Sequence, residues 1–202
     1  MRVDARSVPS FLLLLLLSGC ALQRPGPATR VNWEERRAQL LQLSRWEARG
    51  RIAVQSRSGG GQGDLQWEQS GSDSQIRVSG PFGAGAYEIH WTPEALTVAS
   101  RNGEFRHAYD GADAATAFLH EQLGWSFPAA SARFWMLGLC DPAAPGEERF
   151  DAAGELTGLQ QGGWSVVYQR FADVEGQRLP TRLTLEGTAP RVRLVIDTWG
   201  LH

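Results

Sequence analysis

The chain has 202 residues and an apolar content of 42%, which suits one domain with a real core. Twenty basic against 22 acidic side chains leave a formal net charge of -2. That balance excludes the strong positive field by which proteins gather nucleic acid or anionic surfaces. Every basic residue is an arginine, and eight tryptophans is a high count for this length.

The first residues form an export signal. Arg2 and Arg6 precede the apolar run Phe11 to Leu17, which leads into Ser18-Gly19-Cys20-Ala21. A positive start, a short apolar core and small residues mark a secretory signal peptide. A seven-residue apolar run is far short of the roughly 20 residues that a membrane-spanning helix needs. Leu17-Ser18-Gly19-Cys20 is also similar to a bacterial lipobox, in which the cysteine thiol carries diacylglycerol and the chain is cleaved just before it. The expectation is a signal peptide over residues 1–19, an acylated Cys20 with a Pro- and Gly-rich tether over 20–31, and a single domain over 32–202. Acyl chains contribute about 0.8 kcal/mol per buried methylene, so two or three of them make a stable anchor. With Cys20 acylated, Cys140 has no disulfide partner, and its neighbours Phe134 to Leu139 favour a buried, inert thiol.

Asn32 with Glu35 three residues on has the spacing of a capping box, and Trp33, Leu40 and Leu43 recur at helical intervals. A helix from Asn32 to about Ser44 is predicted. From Trp46 the pattern alternates. Strands are predicted at 51–55, 64–69, 75–79, 86–91, 95–99 and 105–109, with the glycine-rich 57–63 as a connector and Asn102-Gly103 as a hairpin turn. Asp110 is placed to cap a helix through Leu123 that ends at Gly124, and Ser126-Phe127-Pro128 opens a second, short helix through Met136. Strands resume at Phe150 and at 155–159, 164–171, 179–186 and 191–199. The fold class is mainly β, a curved antiparallel sheet of about ten or eleven strands with a helical cover.

Enzyme chemistry finds little support. Gly59 to Gly63 lacks the lysine and hydroxyl residue of a phosphate loop, and His90, His107, His120 and His202 have no metal-ligand spacing. Asp110 and Asp113 suit a helix start better than a catalytic pair. No cofactor is expected, and no catalytic or metal residue is assigned. Trp67, Trp91, Trp164 and Tyr168 fall in strands and are candidates to line an apolar cavity, because a sheet curled to this size either fills itself or keeps room for a ligand. Arg51 begins a strand, where an arginine is usually solvated.

Several motifs, taken in order, carry a resemblance. They are the lipobox at Cys20, Trp46 with Arg49-Gly50, Trp67, Pro81-Phe82-Gly83, Trp135 with Gly138-Leu139, Gly163 to Tyr168, Leu179-Pro180, and Ile196 with Trp199. Together they resemble the LolB family of outer-membrane lipoprotein receptors across nearly all of the mature chain. The resemblance implies an unclosed antiparallel barrel whose apolar cavity takes the acyl chains of lipoproteins. It implies a non-enzymatic protein, anchored to the periplasmic side of the outer membrane, that accepts cargo from the soluble carrier LolA and releases it into the inner leaflet. It further implies that the turn Pro81-Phe82-Gly83 holds out an apolar residue, usually leucine in the family and here Phe82, that enters lipid during release. Cys140 departs from the family pattern, which has proline after Gly-Leu. The rival expectation is a structural envelope lipoprotein that binds another envelope protein.

Overall fold

The structure is a computed structural model that describes residues 29–57, 59–80, 85–101, 106–111, 114–123, 127–188 and 190–202. Cys20, the turn Pro81-Phe82-Gly83 and the expected hairpin at Asn102-Gly103 lie outside these residues. The elements run α1 (Thr29–Leu41), β1 (Arg45–Ser56), β2 (Gly59–Ser70), β3 (Asp73–Ser79), β4 (Tyr87–Trp91), β5 (Ala95–Ser100) and β6 (Arg106–Asp110). They continue with α2 (Ala114–Leu123), α3 (Ala129–Leu137), β7 (Gly146–Phe150), β8 (Leu156–Gln161), β9 (Trp164–Val174), β10 (Gln177–Glu186) and β11 (Arg191–Leu201). Among the described residues no helix is long and apolar enough to cross a membrane.

All eleven strands form one sheet in the order β6-β5-β4-β3-β2-β1-β11-β10-β9-β8-β7. Two antiparallel meanders meet where the first and last strands pair, from Trp46 opposite Leu201 to Gln55 opposite Arg191. The sheet does not close on itself. Its two edges, β6 and β7, are joined through the segment that holds α2 and α3.

Three sequence expectations need correction. The helix α1 starts at Thr29 and ends at Leu41, so Asn32 lies inside it and is not its cap. Extending the helix satisfies more backbone groups than a cap at Asn32 would. Among the described side chains of that helix, Trp33 and Leu40, seven apart, are buried, and the chain leaves through a tight turn in which Leu43 N–H donates to the Leu40 carbonyl at 3.1 Å. The glycine-rich 59–63 is strand rather than connector, because its backbone pairs with β1 from Ser56 opposite Gly59 to Ile52 opposite Gly63. Asp110 is the last residue of β6, opposite Ala95, and α2 begins only at Ala114, whose N–H donates to the Gly111 carbonyl at 3.0 Å. Pro128 stands just before α3, and Gly138 ends that helix at φ 83 with Leu139 N–H returning to the Phe134 carbonyl at 3.0 Å. A side chain at Gly138 would be strained and would crowd Leu156 at 3.3 Å.

Packing divides the interior in two. The larger cluster takes buried residues from α1, α3 and strands β1, β2 and β8 to β11. At one of its centres Trp46 sits 5.5 Å from the rings of both Trp67 and Trp199. Its polar atoms are paired, as burial demands. Trp199 Nε1 donates to the Pro180 carbonyl, and Trp67 Nε1 and Ser74 Oγ both donate to Gln69 Oε1. Gln161 is the chief peg of α3: its Oε1 accepts from Trp135 Nε1 at 2.9 Å and from Asp141 N–H at 2.8 Å, while its Nε2 donates to the carbonyls of Asp141 and Ala144. The smaller cluster holds Trp91, Leu96, Val98 and Ala114, with Ile89, Tyr109, Phe118 and Ala129 against it.

Candidate functional site

A cavity of about 190 Å³ lies between the two clusters. Its walls follow directly from strand alternation, since residues two apart share a face. Ile52 and Val54 of β1, Leu65 and Trp67 of β2, and Ile89 and Trp91 of β4 each form such a pair. Strands β3, β10 and β11 repeat it with Ile76 and Val78, Leu183 and Leu185, and Val192 and Leu194. Phe118 of α2 and Ala129, Ala132, Trp135 and Met136 of α3 close the concave side, with Phe127 beside them. No charged or hydrogen-bonding aliphatic side chain is among the lining residues. The space can therefore hold hydrocarbon and offers nothing to orient a polar ligand.

The sequence-derived aromatics divide by position. Trp67 and Trp91 stand on the cavity wall. Trp164 and Tyr168 do not: both are buried in the larger cluster behind it. The Trp164 ring packs 5.1 Å from Phe127 and 6.3 Å from Trp135, so it supports two lining rings from outside. The Tyr168 hydroxyl donates to the Trp135 carbonyl at 2.8 Å, which fastens the last turn of α3 to β9. Burial pushes its phenol well above the ordinary range. Arg51 points away from the cavity wall and pairs with Asp197 at 3.4 Å, both well exposed. What sequence reasoning missed is the aliphatic majority of the wall, although the i, i+2 pairs that build it were visible in the strand runs.

Cys140 follows α3 and is buried. Burial, with Glu148 adding to it, pushes its thiol up to about 11. At neutral pH it is a thiol and not the thiolate that nucleophilic chemistry uses.

Two steps place the molecule. The unclosed antiparallel sheet with its helical cover is a fold shared with a LolA-superfamily protein from Nitrosomonas europaea, which superposes with a TM-score of 0.54 at 10% identity, over 86% of this chain and 94% of that one. A lipoprotein-sorting protein domain from Vibrio parahaemolyticus, described as putative, matches with a TM-score of 0.50 at 7% identity over 84% of this chain.

Sequence comparison then narrows the class. The family model described as "Outer membrane lipoprotein LolB" matches residues 44–199. The outer-membrane lipoprotein LolB of Nitrosococcus oceani is 34% identical over 93% of this chain and 94% of its own length. That of Pseudomonas aeruginosa is 35% identical over 92% and 91%. The chain belongs to the LolB family of outer-membrane lipoprotein receptors.

Proposed function

We propose that this receptor takes the acyl chains of carrier-borne lipoproteins into the apolar cavity and gives them up to the outer membrane through the turn that bears Phe82. The observation that carries the reading is the wall itself, apolar on every contributing strand and on both helices. Such a wall binds by removing hydrocarbon from water. About six buried methylenes would contribute roughly 5 kcal/mol at 0.8 kcal/mol each, enough to hold cargo and little enough to release it to a bilayer. At about 190 Å³ the cavity is smaller than the roughly 300–1,000 Å³ of ordinary small-molecule sites, so acyl chains must widen it on entry.

The remaining parts of the reading rest on the sequence. Cys20 carries the lipid anchor, residues 20–31 are the tether, and the soluble carrier LolA supplies the cargo. Phe82 in Pro81-Phe82-Gly83 enters lipid, where one buried ring contributes about 1.5–3 kcal/mol and gives a reversible contact. No reaction is assigned. The buried, un-ionised thiol of Cys140 supports that reading.

The test follows one acylated lipoprotein, preloaded on the carrier, to this protein and on to liposomes. Wild type is expected to accept and deliver; Phe82→Glu accepts and stalls; Val54→Asp, which puts a charge on the wall, accepts poorly. Folded protein that accepts no cargo in any form would overturn the proposal.

A further inference from the structure

The cavity ends at one strand of the sheet. Its wall runs through the neighbours β5, β4, β3, β2, β1, β11 and β10, and the last strand pair on it is Leu183 with Leu185. Strand β9 lies next, with Tyr168 opposite Leu183 and Val166 opposite Leu185, so both share the inner face. They and Trp164 are buried, yet none of the three lines the cavity. The lining rings that adjoin β9 are Phe127, centred 5.1 Å from Trp164, and Trp135, whose carbonyl accepts from the Tyr168 hydroxyl.

The two rings are held differently. Trp135 is fully buried, and its Nε1 is tied to Gln161 Oε1. Phe127 stands before α3 and is only half-buried. It meets Trp164 and Trp135 edge to face, each at 87°, an arrangement that favours one orientation of the ring. The indole of Trp164 is seated in its turn by Gly187, just after β10. A Cβ at Gly187 would stand 3.0 to 3.1 Å from Cζ2, Cε2 and Cη2 of that indole, so only glycine lets the backbone lie so close to it. Backbone, indole, Phe127 and cavity thus follow one another in contact.

We propose that Phe127 is the stop that limits how far an acyl chain runs toward β9, and that Trp164 is the positioning residue that holds this stop in place. The proposal rests on the receptor reading above and adds chain length to it. Each methylene that finds apolar space inside tightens binding about fourfold. Past the stop, a further methylene stays in water or must push Phe127 aside, and Trp164 leaves that ring no room to retreat toward β9. A stop of this kind sets the depth of the cavity and leaves its width to the other walls.

The experiment displaces a fluorescent fatty-acyl probe with even-numbered saturated fatty acids from octanoic to stearic. The full mature chain carries Cys20→Ser, so that no acyl group of its own competes. With Phe127 and Trp164 intact, affinity is expected to climb with chain length and then level off. Trp164→Ala moves the levelling point to longer chains, so that the first acid past the original limit binds about tenfold tighter. Trp164→Phe keeps a ring behind Phe127 and stays near the original point. Phe127→Ala, at a half-buried residue, moves the point as Trp164→Ala does and decides the matter if that variant does not fold. Trp199→Phe loses its bond to the Pro180 carbonyl in the same core but away from the cavity, and should lower urea stability without moving the point. An unmoved point in Trp164→Ala or Phe127→Ala, a loss of affinity equal at all lengths, or an equal shift in Trp199→Phe would overturn the proposal. The receptor reading fails separately, if the probe itself does not bind the folded chain.

Discussion

The cavity has two unlike walls. On one side α3 and strands β8 to β11 belong to the larger cluster, where buried hydrogen bonds of Gln161 and Tyr168 fix helix to sheet and one from Trp199 to the Pro180 carbonyl ties β11 to β10. On the other side, among the described residues, α2, β4 and β5 supply four buried residues with Tyr109 of β6 against them, and α2 is tied to β6 by a hydrogen bond at the surface, from the Tyr109 hydroxyl to Glu121 Oε2 at 2.9 Å. The difference teaches how a pocket of about 190 Å³ can admit acyl chains. Widening needs one wall to yield, and local opening follows low burial and exposed hydrogen bonds. The smaller cluster is that wall, and the larger one is the frame it moves against.

The strongest way to break this comparison is to make the same deletion on each side. Trp46→Ala removes a ring that is 2% exposed and wedged between Trp67 and Trp199. It is expected to lower global stability by about 3–5 kcal/mol in urea unfolding. Trp91→Ala removes an equal ring that faces the cavity, where fewer atoms touch it; the expected loss is about 2 kcal/mol or less. Equal losses would mean that the two clusters are one cooperative core. Next in size is a change of volume on the yielding side. Ala129 lines the cavity and packs on the smaller cluster. Ala129→Leu should hold stability within about 1 kcal/mol by filling space, yet weaken binding of a fluorescent fatty-acyl probe about tenfold.

Alkaline pH probes the frame alone. The Cys140 thiol, ordinarily ionising near 9, is held to about 11 in the fold. Between those values the unfolded chain has lost the proton that the folded chain keeps, so stability falls as pH rises through that window and is unaffected below it. Tyr168, pushed upward by the same cause, adds to the fall at higher pH. In Cys140→Ala the decline between pH 9 and 11 is expected to be shallower than in wild type. Parallel curves would show that the thiol is already solvated.

Much of this arrangement could be read from the chain before any coordinates. The i, i+2 pairs such as Ile52 with Val54 and Leu65 with Trp67 specify which face of each strand is apolar, and a sheet curled over those faces makes the cavity. Periodicity gives a face but not a depth, which is why Trp164 and Tyr168 looked like wall residues while they stand behind it. Local signals failed where distant partners outvoted them. The turn propensity of Gly59 to Gly63 yields to the register that β1 imposes, and the spacing of Asn32 and Glu35 yields to a helix that began three residues earlier. Gln161 as the peg of α3 had no sequence signal at all, because its partners Trp135, Asp141 and Ala144 meet it only after β8 and the helix are assembled.

The smallest expected effect is the sharpest on the nature of the moving wall. Tyr109→Phe removes only the hydroxyl that reaches Glu121, leaving the ring to pack against Phe118 at 5.6 Å. A surface hydrogen bond to a carboxylate is worth about 1 kcal/mol here. If α2 opens locally, that loss raises the open population about fivefold, and amides of α2 should exchange about fivefold faster with little dependence on low urea, while global stability falls by only the same ~1 kcal/mol. Acyl-probe association should quicken by a similar factor, since entry waits on the same opening. If α2 exchange instead depends on urea as steeply as that of β9, the helix opens only when the whole sheet does, and the cavity must widen by some motion of its larger wall.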